Sequence, residues 1–408
     1  MRIRETLKRW QITDSVPLPI LAIIFLEQAS FIALFFFFTQ RYLPQDRALG
    51  VAFAGYVITT FFLTKLLFQT PSGWLGDRIG YRTTLVVGLS LSLAATFLMM
   101  LTHQPIVLLA ATALYALGKA PVSPALNATL ANLYQEDRRG QIVALTNAAG
   151  LAAVALAGLS GFVLIDFVPA VVLFLVSSFL TAATLVVALR WVPETSFEVT
   201  VRHRWRLRGI PFRELTSPHV VTWGGILLLI GVAMGLLGPV SRAYSKDVLG
   251  MDMYELVPYL ILPIMVAAVC IIPCGHLADK AGRLPPLVIG LGIGAVGLLG
   301  ISITASVWAI MGLTTFILLS YTLTSPAAGA AMMDLTRENT RGFVLGALGT
   351  VQGVGGAIGP SIGGRLYEAL EPQAVFYVAG ALLAGAMMLA AAYALRRQLA
   401  MAFVIIRG

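Results

Sequence analysis

The stretch GWLGDRIGYR at residues 73–82 is answered 202 residues later by GHLADKAGR at residues 275–283, and each copy closes a long apolar run. A second pair keeps the same offset, SPALNATLANLYQEDRRG at 123–140 and SPAAGAAMMDLTRENTRG at 325–342. Two unrelated segments that share one spacing mark a duplicated half.

The runs between these segments set the solvent. Of 408 residues, 58% are hydrophobic and only 12% charged, and the mean hydropathy is +0.86, which excludes a water-soluble domain. Apolar runs of about 20 residues, the length a helix needs to cross roughly 30 Å of hydrocarbon, recur throughout. Twelve are predicted, six per half: 16–40, 51–72, 83–102, 106–134, 141–164 and 169–190, then 219–243, 254–275, 284–306, 308–333, 343–366 and 373–396. They are continuous blocks rather than short alternating segments, which excludes a β-barrel and leaves helices to satisfy the backbone. The fold class is therefore an all-α membrane protein, with a bundle in residues 1–191, a cytoplasmic linker in 192–218 carrying VRHRWRLR at 201–208, and a second bundle in 219–408. GTVQGVGGAIGPSIGG at 349–364 lacks a side chain at every third or fourth position, which suits close helix contact.

Basic residues orient the chain. With both termini in the cytoplasm, 21 of the 28 Lys and Arg residues fall inside; Arg41, Arg47, Arg242, Lys246 and Arg365 fall outside, and Lys65 and Lys119 lie within spans. Basic loops facing an anionic leaflet account for the net charge of +9 without a nucleic-acid partner. The N-terminus shows no small-residue cleavage site and reads as an uncleaved first span in a plasma-membrane, multi-pass protein. Cys270 and Cys274 read as buried packing residues, and the four histidines fall near loops or helix ends, so no metal, redox or histidine-relay site is expected. No nucleophile, base and orienting partner occur together, so the chain is not expected to be an enzyme, and it needs no cofactor.

The loop motif resembles the signature of the major facilitator superfamily of secondary transporters, G-x-L-x-D-R-x-G-R. It is matched by Gly73, Leu75, Asp77, Arg78, Gly80 and Arg82, with Tyr81 in place of the first basic residue, and again by Gly275, Leu277, Asp279, Lys280, Gly282 and Arg283. The resemblance implies two six-helix bundles related by a pseudo-twofold axis along the membrane normal, and a carrier, expected to be a monomer, that works by alternating access. It also implies a conformational latch made by this loop, in which Asp77 braces the eleventh span near Gly342 and Asp279 reciprocates toward the fifth near Gly140. The pattern is nearest the twelve-helix drug/proton antiporters. The chain departs from them in having no Arg beside Gly118 and no proline with Gly158 and Gly161.

Charges within the spans point to the chemistry, because ionisable groups at membrane depth are costly and mark functional sites. Glu27 lies about 15 Å along the first span and Lys65 about 12 Å from the same end of the second, so similar depth permits a pair. Lys119 lies in the fourth span, where Tyr115, Ser123 and Asn127 continue a polar stripe at helical spacing. At the repeat offset Lys119 maps to Tyr321, Glu27 to Leu229 and Lys65 to Ala267, so the halves are chemically unequal. Glu27, Lys65 and Lys119 are expected to couple transport to a proton gradient. Tyr115, Ser123, Asn127, Tyr321, Ser325 and Gln352 are expected to face the substrate. The leading expectation is proton-coupled export of a hydrophobic or amphiphilic small molecule. The alternatives are a lipid or lysolipid translocator, or uptake of an organic anion.

Overall fold

The computed structural model describes residues 18–133, 136–165, 167–192, 216–280, 282–334 and 341–407. All regular structure among them is helical. The first half holds α1 (Leu18–Phe37), α2 (Gly50–Ile79), α3 (Tyr81–Leu101), α4 (Pro105–Lys119), α5 (Val122–Leu133), α6 (Glu136–Leu164) and α7 (Ala170–Trp191). The second holds α8 (Pro218–Leu236), a short α9 (Ser241–Asp247), α10 (Met253–Lys280), α11 (Leu284–Ser302), α12 (Val307–Asp334), α13 (Arg341–Ala369) and α14 (Ala374–Arg407). Each of the twelve predicted spans falls on a helix. Two departures occur in the first half. The first span continues beyond α1 as a π-helical stretch, Phe38–Asp46, containing Pro44. The fourth span, expected as one rod, breaks into α4 and α5 because Pro121 has no N–H to continue the ladder.

The duplication seen in the sequence recurs in the packing. In the first half α1 packs on α6 and α7, and α3 packs on α4 and α7; in the second α8 packs on α13 and α14, and α11 packs on α12 and α14. Gly80 and Gly282, 202 residues apart, both take left-handed φ, 93° and 84°, at the turns after α2 and α10. There the backbone needs glycine. The α3–α4 contact repeats with its residues exchanged. A Cβ on Gly118 would stand 2.4 Å from Ser92 Oγ, and a Cβ on Gly294, the counterpart of Ser92, would stand 2.4 Å from the hydroxyl of Ser320, the counterpart of Gly118.

The described chain forms two compact units, Met1–Tyr42 with Thr64–Arg202, and Leu43–Leu63 with His203–Gly408. The first half of α2 thus groups with the C-terminal helices, which departs from a clean division of the bundles at residues 191 and 219. Within that second unit Glu368 accepts the Ala52 N–H at 2.9 Å, at the first turn of α2, and Thr59 Oγ1 accepts the Ser361 N–H at 3.2 Å. Arg365 donates to the Tyr56 hydroxyl. Glycines bring the two backbones together: a Cβ on Gly55 would stand 2.2 Å from the Pro360 carbonyl oxygen, and one on Gly364 would stand 2.7 Å from that of Val51.

Each unit has its own core. Ile20, Ile23, Leu85, Leu89 and Leu126 are buried in the first, and Trp223, Ile226, Leu291, Leu298 and Leu383 in the second. Phe179, Val269 and Ile106 stand on bare outer surfaces, the pattern expected where the solvent is hydrocarbon. Close packing without side chains makes particular glycines intolerant. Gly363→Ala on α13, whose Cβ would stand 2.1 Å from the Leu236 carbonyl oxygen, should destabilise by about 1–3 kcal/mol. Gly158→Ala, with nothing within 4 Å, should stay within about 0.5 kcal/mol. Thermal midpoints of the two purified variants check the contrast.

Candidate functional site

The rotation of α1 about its axis is set by hydroxyls. Ser30 Oγ donates to the Ser177 carbonyl oxygen at 3.0 Å and stands 2.7 Å from Thr181 Oγ1, while Ser177 Oγ donates back to the Ser30 carbonyl oxygen at 3.1 Å. All three hydroxyls are buried, so this cluster satisfies polar groups inside the membrane and ties α1 to α7. Glu27, one turn earlier, is held in place by the same helix.

The break before Pro121 positions the second group. It makes Lys119 the last residue of α4, where the helix end carries partial negative charge that favours an ammonium. Gly118 draws that end against α3, because a Cβ there would also stand 2.6 Å from the Gly88 carbonyl oxygen. From this anchored end the Lys119 Nζ reaches across to Glu27 Oε1 at 3.2 Å, an ion pair set off the hydrogen-bond line, with the two side chains 1% and 14% exposed. The Tyr115 ring lies behind it, its centroid 5.2 Å from Nζ. An ion pair this deep has its charges compensated by each other rather than by water.

The pair opens onto a cavity of about 550 Å³ within the first unit. Its polar lining is Glu27, Gln28, Lys65, Lys119, Ser123 and Thr146. Its apolar lining includes Ile24, Val122, Leu126 and Val154. Five helices contribute, so the cavity depends on the assembled bundle. The three ionisable residues read from the sequence therefore meet in one place, and Ser123 joins them. Tyr115, expected to face the substrate, is instead fully buried: the Lys119 ammonium, one turn on, lies over its ring, and the tyrosine does not line the cavity. Tyr321, Ser325 and Gln352 belong to the second unit, are exposed, and take no part in this cavity. Gln28 and Thr146 line it although sequence reasoning passed over them. Gln28 was the legible one, a second polar residue beside Glu27 in an apolar run.

At the loop signature, α2 continues as helix through Gly73 to Ile79 and turns at Gly80 alone. The Arg78 guanidinium lies over the Trp74 ring at 3.9 Å. Arg82 donates to the Leu189 carbonyl oxygen, fastening the loop to the end of α7. Arg283 follows the second turn glycine, Gly282. The side chains of Asp77, Asn127, Asp279 and Lys280, and the linker residues 193–215 with their basic cluster and His203, lie outside the described residues. Cys270 and Cys274 are free and half-buried rather than fully buried.

The family model for the Major Facilitator Superfamily matches residues 20–324 and again 260–403. The proton-coupled antiporter flippase LtaA of Staphylococcus saprophyticus is 24% identical over 336 residues, 80% of this chain and 81% of that protein. Multidrug resistance protein 2 of Bacillus subtilis is 23% identical over 324 residues, 77% of this chain and 80% of that protein. The crystal structure of the nucleoside transporter NupG has a TM-score of 0.75 at 12% identity, covering 92% of this chain and 98% of that one, a likeness of fold alone.

Proposed function

The chain belongs to the Major Facilitator Superfamily, and from that premise we propose that this multi-pass membrane transporter couples export of a hydrophobic or amphiphilic small molecule to proton entry, with Glu27 carrying the proton. It is a transporter and not an enzyme. The observation that carries the proposal is the Glu27–Lys119 ion pair on a cavity whose lining also includes the aliphatic side chains of Ile24, Val122, Leu126 and Val154.

The groups facing Glu27 are Lys119 at 3.2 Å, Tyr115 behind that lysine, and Lys65 on the cavity lining. A proton on Glu27 removes the charge that compensates Lys119. A buried ammonium left without its counter-charge is strongly unfavourable, so the protein shifts toward the arrangement that rehydrates it. A proton that binds the two arrangements unequally biases their populations, which is all that coupling requires. The names of the staphylococcal and Bacillus relatives support antiport and export. A second reading, translocation of a lipid or lysolipid, draws support from the name of the former and from the aliphatic residues on the cavity lining. Uptake of an organic anion is the third, favoured by two lysines against one carboxylate on the lining. We place the termini in the cytoplasm of a plasma-membrane protein, following the basic-residue asymmetry, and take the transporter to act as a monomer.

Proteoliposomes with an imposed pH gradient test the function, with fluorescent amphiphiles, lysolipids and organic anions as cargo. Movement of an amphiphile against the proton flux is expected. Movement indifferent to the gradient would overturn the coupling. The latch makes a separate prediction. Asp77→Asn should insert normally but transport more slowly, by about fivefold or more if the loop biases the two states by an ordinary coupling energy. Unchanged initial rates would remove the latch.

A further inference from the structure

A second concavity meets the α4–α5 break at Leu117 and Pro121, where the ion-pair cavity meets it at Lys119 and Val122. About 350 Å³ in volume, it runs between the end of α2 and the start of α3, with Phe68, Pro71, Leu75, Val87, Leu117 and Pro121 among its walls. Nothing charged lines it, and Phe68, Trp74, Leu75, Ile79 and Val87 all remain exposed. An apolar trough on a membrane-spanning bundle, rather than a flat face, presents room for a chain. Toward the loop its walls include Trp74 and Ile79, and the Arg78 guanidinium lies over that indole at 3.9 Å. Tryptophan at this level is an interfacial anchor, and a guanidinium beside it is the group best shaped to hold a phosphodiester. The loop also carries Arg82, turned to the Leu189 carbonyl oxygen.

We propose that this trough is a binding site for an acidic phospholipid of the leaflet that the 80–82 loop faces, with one acyl chain between α2 and α3 and the phosphate against Arg78. The site is separate from the transport cavity: none of its walls is shared with the residues around Glu27. Its position matters because the lipid would rest on the same turns of α2, Gly73 to Ile79, that lead into the loop signature. A seated chain would hold those turns against α3 and Pro121.

The test uses the full-length protein, purified and stripped of lipid, with phosphatidylglycerol or phosphatidylcholine of identical acyl chains added back in micelles and unfolding followed by temperature. Phosphatidylglycerol should raise the midpoint saturably, by about 3 °C or more beyond phosphatidylcholine. Val87→Trp, which fills the trough from an exposed wall position, should abolish that difference. Arg78→Gln should leave the response to both lipids but make them equal. Val176→Trp, on the exposed face of α7, should keep the wild-type response. Native mass spectrometry should find one tightly held phosphatidylglycerol on the wild type and none on Val87→Trp. The proposal fails if the two lipids stabilise the wild type equally. It also fails if the response rises without saturation, as bulk surface charge would give, or survives in Val87→Trp. Because the wild-type comparison alone can sink it, loss of folding in a variant leaves it decidable.

Discussion

Glu27→Gln should reduce pH-driven substrate movement in proteoliposomes to the level of protein-free vesicles, while downhill exchange of the same substrate persists. Glutamine keeps the shape and the polar contact of the carboxylate but holds no titratable proton, so it separates carrying a proton from filling the space. The side chain sits 3.2 Å from Lys119 Nζ and is only 14% exposed, so its charge is compensated chiefly by that one cation. Fixing it neutral should trap the protein in the proton-loaded balance of states, with a flat pH profile for exchange. A variant that still accumulates or expels substrate against its gradient, with the pH profile intact, would assign the ion pair to structure alone.

Lys119→Met should be the most destabilising single substitution in the first unit. Removing one partner of a buried pair leaves the other charge uncompensated, at about 3–5 kcal/mol, whereas replacing both with neutral groups of similar size is often neutral. Lys119 is 1% exposed and lies at the end of α4, so the methionine fills its space without reaching water. The double variant Glu27→Gln with Lys119→Met should therefore recover most of the lost stability yet remain uncoupled. Denaturation of all three variants in detergent, read as a double-mutant cycle, gives the interaction energy directly. Additive losses would mean that the two side chains do not sense each other.

The residues most easily read from the sequence were those whose physics is one-dimensional. Twelve apolar runs, two glycine-turned loops at one offset, and three charges where charge is expensive all follow from composition along the chain. What escaped depends on neighbours. Pro121 was visible, yet a proline within a membrane span can kink, pass unnoticed or end the helix, and only packing against Gly88 decides. Tyr115 does share a face with Lys119, four residues on, but the lysine lies over its ring and stands between it and the cavity. The π-helical widening after Phe37 has no spacing signature, and the alliance of residues 43–63 with the C-terminal helices turns on Gly55 meeting the Pro360 backbone and Gly364 that of Val51. Glycine-rich spans announce that something approaches closely. They do not announce what.

That alliance has a mechanical corollary. α2 is a continuous rod of 30 residues whose leading end is clasped by Glu368 and whose middle supplies Lys65 to the ion-pair cavity. Where its allegiance changes, the sequence Thr60, Phe61, Phe62, Leu63, Thr64, Lys65 offers neither glycine nor proline, the usual places for a helix to flex. Any bend that alternating access asks of α2 is then expected at its fastenings rather than within this stretch, so loosening Glu368 from the Ala52 N–H should change the speed of turnover and leave cargo choice untouched.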